Sequence, residues 1–214
     1  MAKTLIRYVV FSLVVACFSA CVHPPAITTS GSPTAPTAGS LPPLSQRPVR
    51  LALVGQSNAV LGRPVFAQQT GILTLVPTAG DGPVIACWAV TSDCWTLLSP
   101  TIYRINIDAF VWWQGESDVD NPTYDVALAD LVGRIRAVVG NPTLLIVLMQ
   151  YGVAYSGHPG GSERQSQAWV ASDAHALYVP THDLEFREDG GHMTDEGYAA
   201  AARRIVAMVR QKLQ

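Results

Sequence analysis

The sequence predicts an α/β fold, a three-layer sandwich in which a central parallel sheet of about five strands is flanked by helices. Two observations lead to this class. Short apolar runs recur along the chain, which is typical of strands buried on both faces. Longer segments with helical spacing of apolar residues lie between them, and alternation of strands with helices favours parallel pairing.

Five short runs are the candidate strands. The fourth, TLLIVLMQYG, is the clearest because its centre is a continuous run of β-branched residues and leucine. The fifth is the weakest of the set. In chain order the runs cover residues 49–55, 72–77, 105–113, 143–152 and 175–184.

The clearest helix is predicted between the third and fourth strands, over residues 121–140. Asn121 is a good N-cap residue, and Pro122 suits the first helical turn. Apolar residues then recur on one face at helical spacing, and Gly140 ends the run. We expect this face to pack on the sheet.

Two further helices follow the fourth and fifth strands. One is predicted over residues 161–174, and the other begins at Thr194 with acidic residues in its first turn, as the helix dipole favours. The segment 78–104 fits neither pattern, and we expect a long, irregular and functional loop layer there. Its two tryptophans, Trp88 and Trp95, either line a platform for a sugar or pack in the core.

Length and composition indicate one compact globular domain. The chain has 214 residues, of which 49% are hydrophobic and 14% charged. The formal net charge of −2 gives no reason to expect a polyanionic partner, so nucleic acid is excluded as a partner. The sequence indicates no oligomeric state.

Residues 1–21 have the pattern of an export signal. Lys3 and Arg7 precede the apolar run YVVFSLVVACFSAC, which is short for a bilayer span and typical of a signal-peptide core. Cys17 and Cys21 each close a stretch that resembles a lipobox, where bacterial lipoproteins are cleaved and acylated. An uncleaved anchor helix and simple secretion are the alternatives. In every case we expect an exported protein, either anchored in the cell envelope by its N-terminus or secreted.

Residues 22–47 are rich in Pro, Thr, Ser, Gly and Ala and show almost no apolar pattern. Such a segment buries too little surface to offset the entropy lost when it becomes ordered. We therefore expect a flexible linker there, followed by one folded domain over residues 48–214.

Cys87 and Cys94 are the two cysteines of the predicted domain. In an oxidising compartment they are expected to form a disulfide that closes a short loop. The alternative is a pair of buried free thiols. A metal site is not expected at this pair, because no histidine or second cysteine pair lies nearby in the sequence.

Polar clusters follow the carboxyl ends of three predicted strands, the place where parallel α/β sheets bind ligands. Ser57 follows the first strand, Gln114 the third and His192 the fifth. A serine between strand and helix exposes its hydroxyl and presents its backbone N–H at the helix N-terminus, where an oxyanion is stabilised. Asp189, three residues before His192, can hold the imidazole as a general base. Taken one at a time, these residues also suit ordinary turns and helix caps.

The cluster after the third strand reads Gln-Gly-Glu-Ser-Asp and directly follows two tryptophans. The Gln114 side chain offers N–H donors without charge, which suits an oxyanion hole. Glu116 either bonds backbone N–H groups of its loop or orients catalytic partners, and we favour the structural role. Gln56, Asn58 and Gly115 are candidate supporting residues, although the first two are equally typical of turns.

Four sequence blocks together carry a family resemblance. They are GQSN at 55–58, WWQGESD at 112–118, ERQSQ at 163–167 and DGGH at 189–192. In this order they resemble the SGNH hydrolases, and more narrowly the sialate O-acetylesterase-like branch that includes acetylxylan esterase-like enzymes of carbohydrate esterase family 6. The resemblance runs from about residue 49 to the last helix and implies the flavodoxin-like SGNH sandwich.

The resemblance also implies a catalytic triad. Ser57 would be the nucleophile, His192 the base, and Asp189 the residue that orients the base. Such a triad transfers an acyl group through a covalent acyl-enzyme on the serine, which water then hydrolyses. It requires no metal and no organic cofactor.

The oxyanion hole implied by the resemblance combines three donors. They are the Ser57 backbone N–H, the Gln114 side chain and the backbone N–H of a glycine. Counting back from the tryptophan of GDGPVIACW selects Gly82, with Gly80 as the alternative. Trp113 stands where the family pattern has histidine, and we expect it to make the pocket more apolar.

The function implied is a serine esterase that removes O-acetyl or other small acyl groups from an acylated carbohydrate, the expected partner. Three alternatives stay open. The first is a broader lipase, thioesterase or arylesterase of the same superfamily. The second is an acyltransferase with the same triad. The third is a non-catalytic carbohydrate-binding domain, although the serine, aspartate and histidine are all present.

Overall fold

A four-stranded parallel sheet forms the centre of the protein, with neighbouring strands in sequence order. The structure, a computed structural model, describes residues 42–70, 85–158 and 161–214. The predicted α/β class with a parallel sheet is confirmed. The strands are β1 (Leu51–Gly55), β2 (Ala109–Trp113), β3 (Leu145–Met149) and β4 (Ala176–Val179).

Four of the predicted strands coincide with these strands, and the prediction at residues 72–77 lies outside the described residues. Each observed strand is shorter than predicted. The strand predicted over 105–113 begins only at residue 109, because the Asp108 side chain forms an ion pair just before it. Its carboxylate accepts hydrogen bonds from the Arg47 guanidinium at 2.6 and 2.7 Å and from the Arg50 backbone N–H at 2.7 Å.

Helices cover both faces of the sheet. Two of them, the first and the last in the chain, pack together on one face, and the others pack on the opposite face. The predicted three-layer arrangement is therefore confirmed. In chain order the helices are α1 (Ser57–Gln69), α2 (Asp93–Ile102), α3 (Tyr124–Val139), α4 (Ser162–Ser172) and α5 (Asp195–Lys212).

The alternation of side chains along the strands divides the core into two layers. In β2, Phe110 and Trp112 point toward α2 and α3, whereas Val111 and Trp113 point toward α1 and α5. All residues of β1, β2 and β3 are buried, as expected for strands covered on both faces.

The ends of two helices test the cap predictions. The predicted N-cap Asn121 lies in the turn before α3, where its side chain accepts hydrogen bonds from the backbone and hydroxyl of Thr123. That local turn delays the start of the helix, so the prediction was wrong by two residues. Gly140 ends α3 in the left-handed conformation, as predicted, with φ of 76°. Thr194 caps α5 through its hydroxyl, which accepts from the Gly197 N–H at 3.1 Å.

The expectation of an irregular layer over residues 78–104 was wrong for its second half. A 3₁₀ turn and helix α2 occupy that part, because apolar residues recur there at i, i+4 and i+8 spacing. Trp88 is buried edge-on against Trp112, with ring centroids 5.1 Å apart. Trp95 is 7% exposed and lies beneath the Arg134 guanidinium. Both tryptophans therefore belong to the core.

A disulfide joins Cys87 in the 3₁₀ turn to Cys94 in the first turn of α2. Cys94 is fully buried, so the bridge ties this helix to the core. In the described part of the chain, no helix combines the length and the apolar character needed to cross a membrane.

Candidate active site

The carboxyl ends of β1 and β2 lie in close contact at the site. A Cβ atom on Gly55 would lie 1.9 Å from the Trp113 carbonyl oxygen, so only glycine fits there. The chain then turns at Gln56, and Ser57 becomes the first residue of α1. This junction places the Ser57 hydroxyl at the carboxyl edge of the sheet.

Ser57, His192 and Asp189 form one hydrogen-bonded chain. His192 Nε2 lies 2.9 Å from Ser57 Oγ, and His192 Nδ1 lies 2.7 Å from Asp189 Oδ2. With the imidazole proton on Nδ1, the Nε2 lone pair faces the serine hydroxyl and can accept its proton. The three residues predicted to act together are brought together, although His192 and Ser57 are 135 positions apart.

The loop before α5 holds Asp189 in place. Its Oδ1 accepts hydrogen bonds from the backbone N–H groups of His192 and Gly191, both at 2.8 Å. The His192 backbone N–H, then its ring and the Gly191 N–H, lower the pKa of Asp189 to about 2. Asp189 is therefore a carboxylate throughout the neutral pH range.

Asn58 connects three parts of the site and is 1% exposed. Its side-chain NH₂ donates to the Gly191 carbonyl at 2.8 Å and to Glu116 Oε1 at 3.0 Å. Its carbonyl oxygen accepts from the Tyr198 hydroxyl at 2.9 Å. The residue after the serine thus fixes the backbone next to His192.

Gln56 connects the first two strand ends and is also buried. Its side-chain oxygen accepts from the Gly115 backbone N–H at 3.2 Å. Gly115 itself packs closely, since a Cβ atom there would lie 2.7 Å from the Tyr151 ring. The structure thus places Gln56, Asn58 and Gly115 together beside Ser57.

Glu116 is a buried carboxyl group at the wall of the site, 7% exposed. Oε1 accepts from Asn58, and Oε2 has no hydrogen-bond partner among the described residues. Burial raises the pKa of Glu116 to about 7, against the opposing effects of the Asn58 hydrogen bond, of its own backbone N–H and of nearby His192. This carboxyl group therefore changes charge near neutral pH.

A cavity of about 190 Å³ opens beside the serine. Three of its lining residues, Ser117, Tyr155 and Gly191, were not predicted as site residues. Ser117 lies inside the WWQGESD block and Gly191 inside the DGGH block, and Tyr155 follows the carboxyl end of β3, so all three lie at the sheet edge where ligands were expected. The cavity is lined by Ser57, Asn58, Glu116, Ser117, Tyr155 and His192, among others.

Comparison with known proteins identifies the family. The sequence model of the family described as carbohydrate esterase, sialic acid-specific acetylesterase, matches residues 51–211. The chain belongs to this family. The protein is therefore a carboxylic ester hydrolase, and the family resemblance is confirmed.

Solved structures share the fold of this esterase. A protein from Arabidopsis thaliana is 22% identical, with a TM-score of 0.53 over 72% of this chain and 67% of that chain. A proposed SGNH hydrolase from Slackia heliotrinireducens is 17% identical, with a TM-score of 0.57 over 75% of this chain and 98% of that chain. At these identities the likeness concerns the fold alone. No curated protein matches the esterase significantly.

Gln114 of the esterase is not among the residues that line the cavity. Its side chain is 2% exposed, and its NH₂ donates to Asp118 Oδ2 at 2.6 Å. The same carboxylate oxygen accepts from the Ile85 backbone N–H at 2.7 Å. Asp118 therefore joins Gln114 to the segment that begins at residue 85. Gly82, the predicted glycine donor, and its alternative Gly80 lie outside the described residues.

The expectation that Trp113 makes the pocket more apolar was wrong, because Trp113 does not line the cavity. It is fully buried on the α1–α5 face, where its ring packs against Phe66 and Tyr198 at centroid distances of 6.1 and 5.9 Å. The alternation of β2 decides this, because it turns the last residue of the strand away from the cavity.

Proposed function

We propose that this esterase removes O-acetyl or other small acyl groups from a carbohydrate through an acyl-enzyme on Ser57. The observation that carries the proposal is the hydrogen-bonded chain from Ser57 through His192 to Asp189 at the cavity. The family description, a carbohydrate esterase and acetylesterase, supports the substrate class.

In the proposed mechanism, Ser57 Oγ attacks the ester carbonyl while its proton moves to His192 Nε2. Asp189 stabilises the imidazolium that results. When the tetrahedral intermediate collapses, the imidazolium returns the proton to the departing sugar oxygen, and the acyl group stays on Ser57. A water molecule then attacks the acyl-enzyme with His192 again as the base, and acid and free serine are released.

The Ser57 backbone N–H at the start of α1 is the oxyanion donor that the fold supports best. Gly82 remains our candidate for a second donor, by resemblance. Gln114 also stays a candidate donor by resemblance, with the orientation of its amide fixed by Asp118. Ser117 also carries a hydroxyl group at the cavity and is a candidate contact for the substrate.

A cavity of about 190 Å³ favours an acetyl group over a long acyl chain. This observation supports an acetylesterase against the broader lipase of the same superfamily. The Cys87–Cys94 disulfide supports the proposed export, since disulfides persist in oxidising compartments. Residues 1–47, with the predicted signal, the lipobox cysteines and most of the linker, lie largely outside the described residues.

Hydrolysis of p-nitrophenyl acetate, butyrate and octanoate by the full chain and by Ser57→Ala tests the proposal. We expect the rate to fall with acyl length and to reach background in the variant. Equal rates in the variant and in the wild type would remove Ser57 from the mechanism. Product analysis with an added sugar acceptor separates hydrolysis from acyl transfer.

A further inference from the structure

Glu116 is the buried ionisable group at the site that the proposed mechanism leaves without a task. A carboxyl group 7% exposed is costly to bury, and Oε2 has no hydrogen-bond partner among the described residues. A glutamine would satisfy Asn58 equally well and would carry no charge. A purely structural role therefore does not explain why an acid is present.

The contacts of Glu116 lead to the catalytic base. Its Oε1 accepts from Asn58, and the same NH₂ group of Asn58 donates to the carbonyl of Gly191, the residue before His192. The Tyr198 hydroxyl fixes the other end of the Asn58 amide. Glu116 and Tyr198 together determine which way this amide points, and so where the backbone before His192 lies.

His192 is the group facing Glu116 whose charge changes during the proposed catalytic cycle. Burial raises the pKa values of Tyr198 on α5 and Tyr151 after β3 to about 12, so both stay neutral in the working range. Burial also raises the pKa of Tyr124 on α3. Asp118, in the same loop as Glu116, already accepts hydrogen bonds from three donors, so its charge is engaged elsewhere.

We propose that Glu116 is a positioning residue that acts on the base. As a carboxylate it holds Asn58 against Gly191 and stabilises the imidazolium that His192 becomes in each proton transfer. This inference rests on the proposed function of His192. Glu116 itself forms no bond to the substrate and exchanges no proton with Ser57.

The proposal gives the reaction a pH dependence with a defined sign. Below neutral pH Glu116 is protonated and offers the imidazolium no charge. As the pH rises, the carboxylate forms, and the imidazolium becomes easier to generate. Burial raises the pKa of Glu116 to about 7, so the change falls within the range in which hydrolysis is measured.

The first test is the ratio of kcat between the wild type and Glu116→Gln, measured with p-nitrophenyl acetate from pH 5.5 to 8.5. We expect a ratio near one at pH 5.5 that rises to about tenfold at pH 8.5, with KM unchanged, since one pKa unit of interaction corresponds to a factor of ten. Glu188→Gln is the matched control, because Glu188 is an exposed carboxylate in the same loop as Asp189. Its ratio should stay near one throughout.

The second test does not depend on activity. In the wild type, nuclear magnetic resonance signals of the His192 ring should show an additional inflection near pH 7 that Glu116→Gln lacks. A kcat ratio that is constant with pH, or ring signals that titrate identically in both proteins, would overturn the proposal. If Ser57→Ala retains activity while the ring signals differ as expected, the proposed mechanism fails and the coupling of Glu116 to His192 stands.

Discussion

Replacing Glu116 by glutamine should make the protein more stable at alkaline pH. Burial raises the pKa of Glu116 from 4.5 to about 7, so between these values the folded protein binds a proton that the unfolded chain has lost. The wild type therefore loses stability as the pH rises through this window, and the glutamine variant does not. By linkage, the difference in the free energy of unfolding, variant minus wild type, should increase by about 2.5 kcal/mol between pH 5 and pH 8.

Urea unfolding of both proteins at pH 5, 6, 7 and 8 measures this difference. All other titrating groups are common to both proteins, so their contributions cancel when the free energy of unfolding of one protein is subtracted from that of the other. Glu188→Gln, at an exposed position, should show no such trend. A difference between wild type and Glu116→Gln that does not change with pH would refute the reasoning, because it would mean that the folded state does not raise the pKa of Glu116.

Three further predictions concern the triad, the disulfide and a helix cap. Asp189→Asn should lower kcat by a factor on the order of 10³ with little change in KM, because the carboxylate that holds His192 Nδ1 is lost. Steady-state kinetics measure this loss, and an unchanged kcat would contradict the prediction. Replacing Cys87 and Cys94 together by serine should lower the free energy of unfolding by about 2 kcal/mol, the low end for a short loop, and a urea midpoint equal to that of the wild type would count against it. Thr194→Ala should lower the free energy of unfolding by about 1 kcal/mol, since the hydrogen bond to the first turn of α5 is lost, whereas Thr194→Ser should restore it in the same assay.

The parts of the fold that depend on local pattern were predictable from the sequence. Continuous apolar runs identified four strands, and Gly140 and Thr194 were correctly predicted to bound their helices. Helix α2 was not predicted. Its signal is the i, i+4 spacing of Cys94, Leu98 and Ile102, which all lie on its buried face.

The site was predictable where one block carries its own chemistry. The Asp189–His192 pair lies within one turn, and the serine lies at the end of a strand. The connections between blocks were not predictable, because they depend on contacts between distant residues. The Asn58 bond to Gly191 spans 133 positions, and no local pattern encodes it. For the same reason, the sequence could not show that Asp118 also binds the backbone N–H of Ile85.

Covalent trapping of the acyl group is the decisive test of the acyl-enzyme on Ser57. The full chain is mixed with p-nitrophenyl acetate, quenched in acid within the first turnovers, digested and mapped by mass spectrometry. We expect one acetyl group on the peptide that contains Ser57, and none after the same treatment of Ser57→Ala. An acetyl group on another residue, with p-nitrophenol released equally fast by the variant, would contradict this expectation.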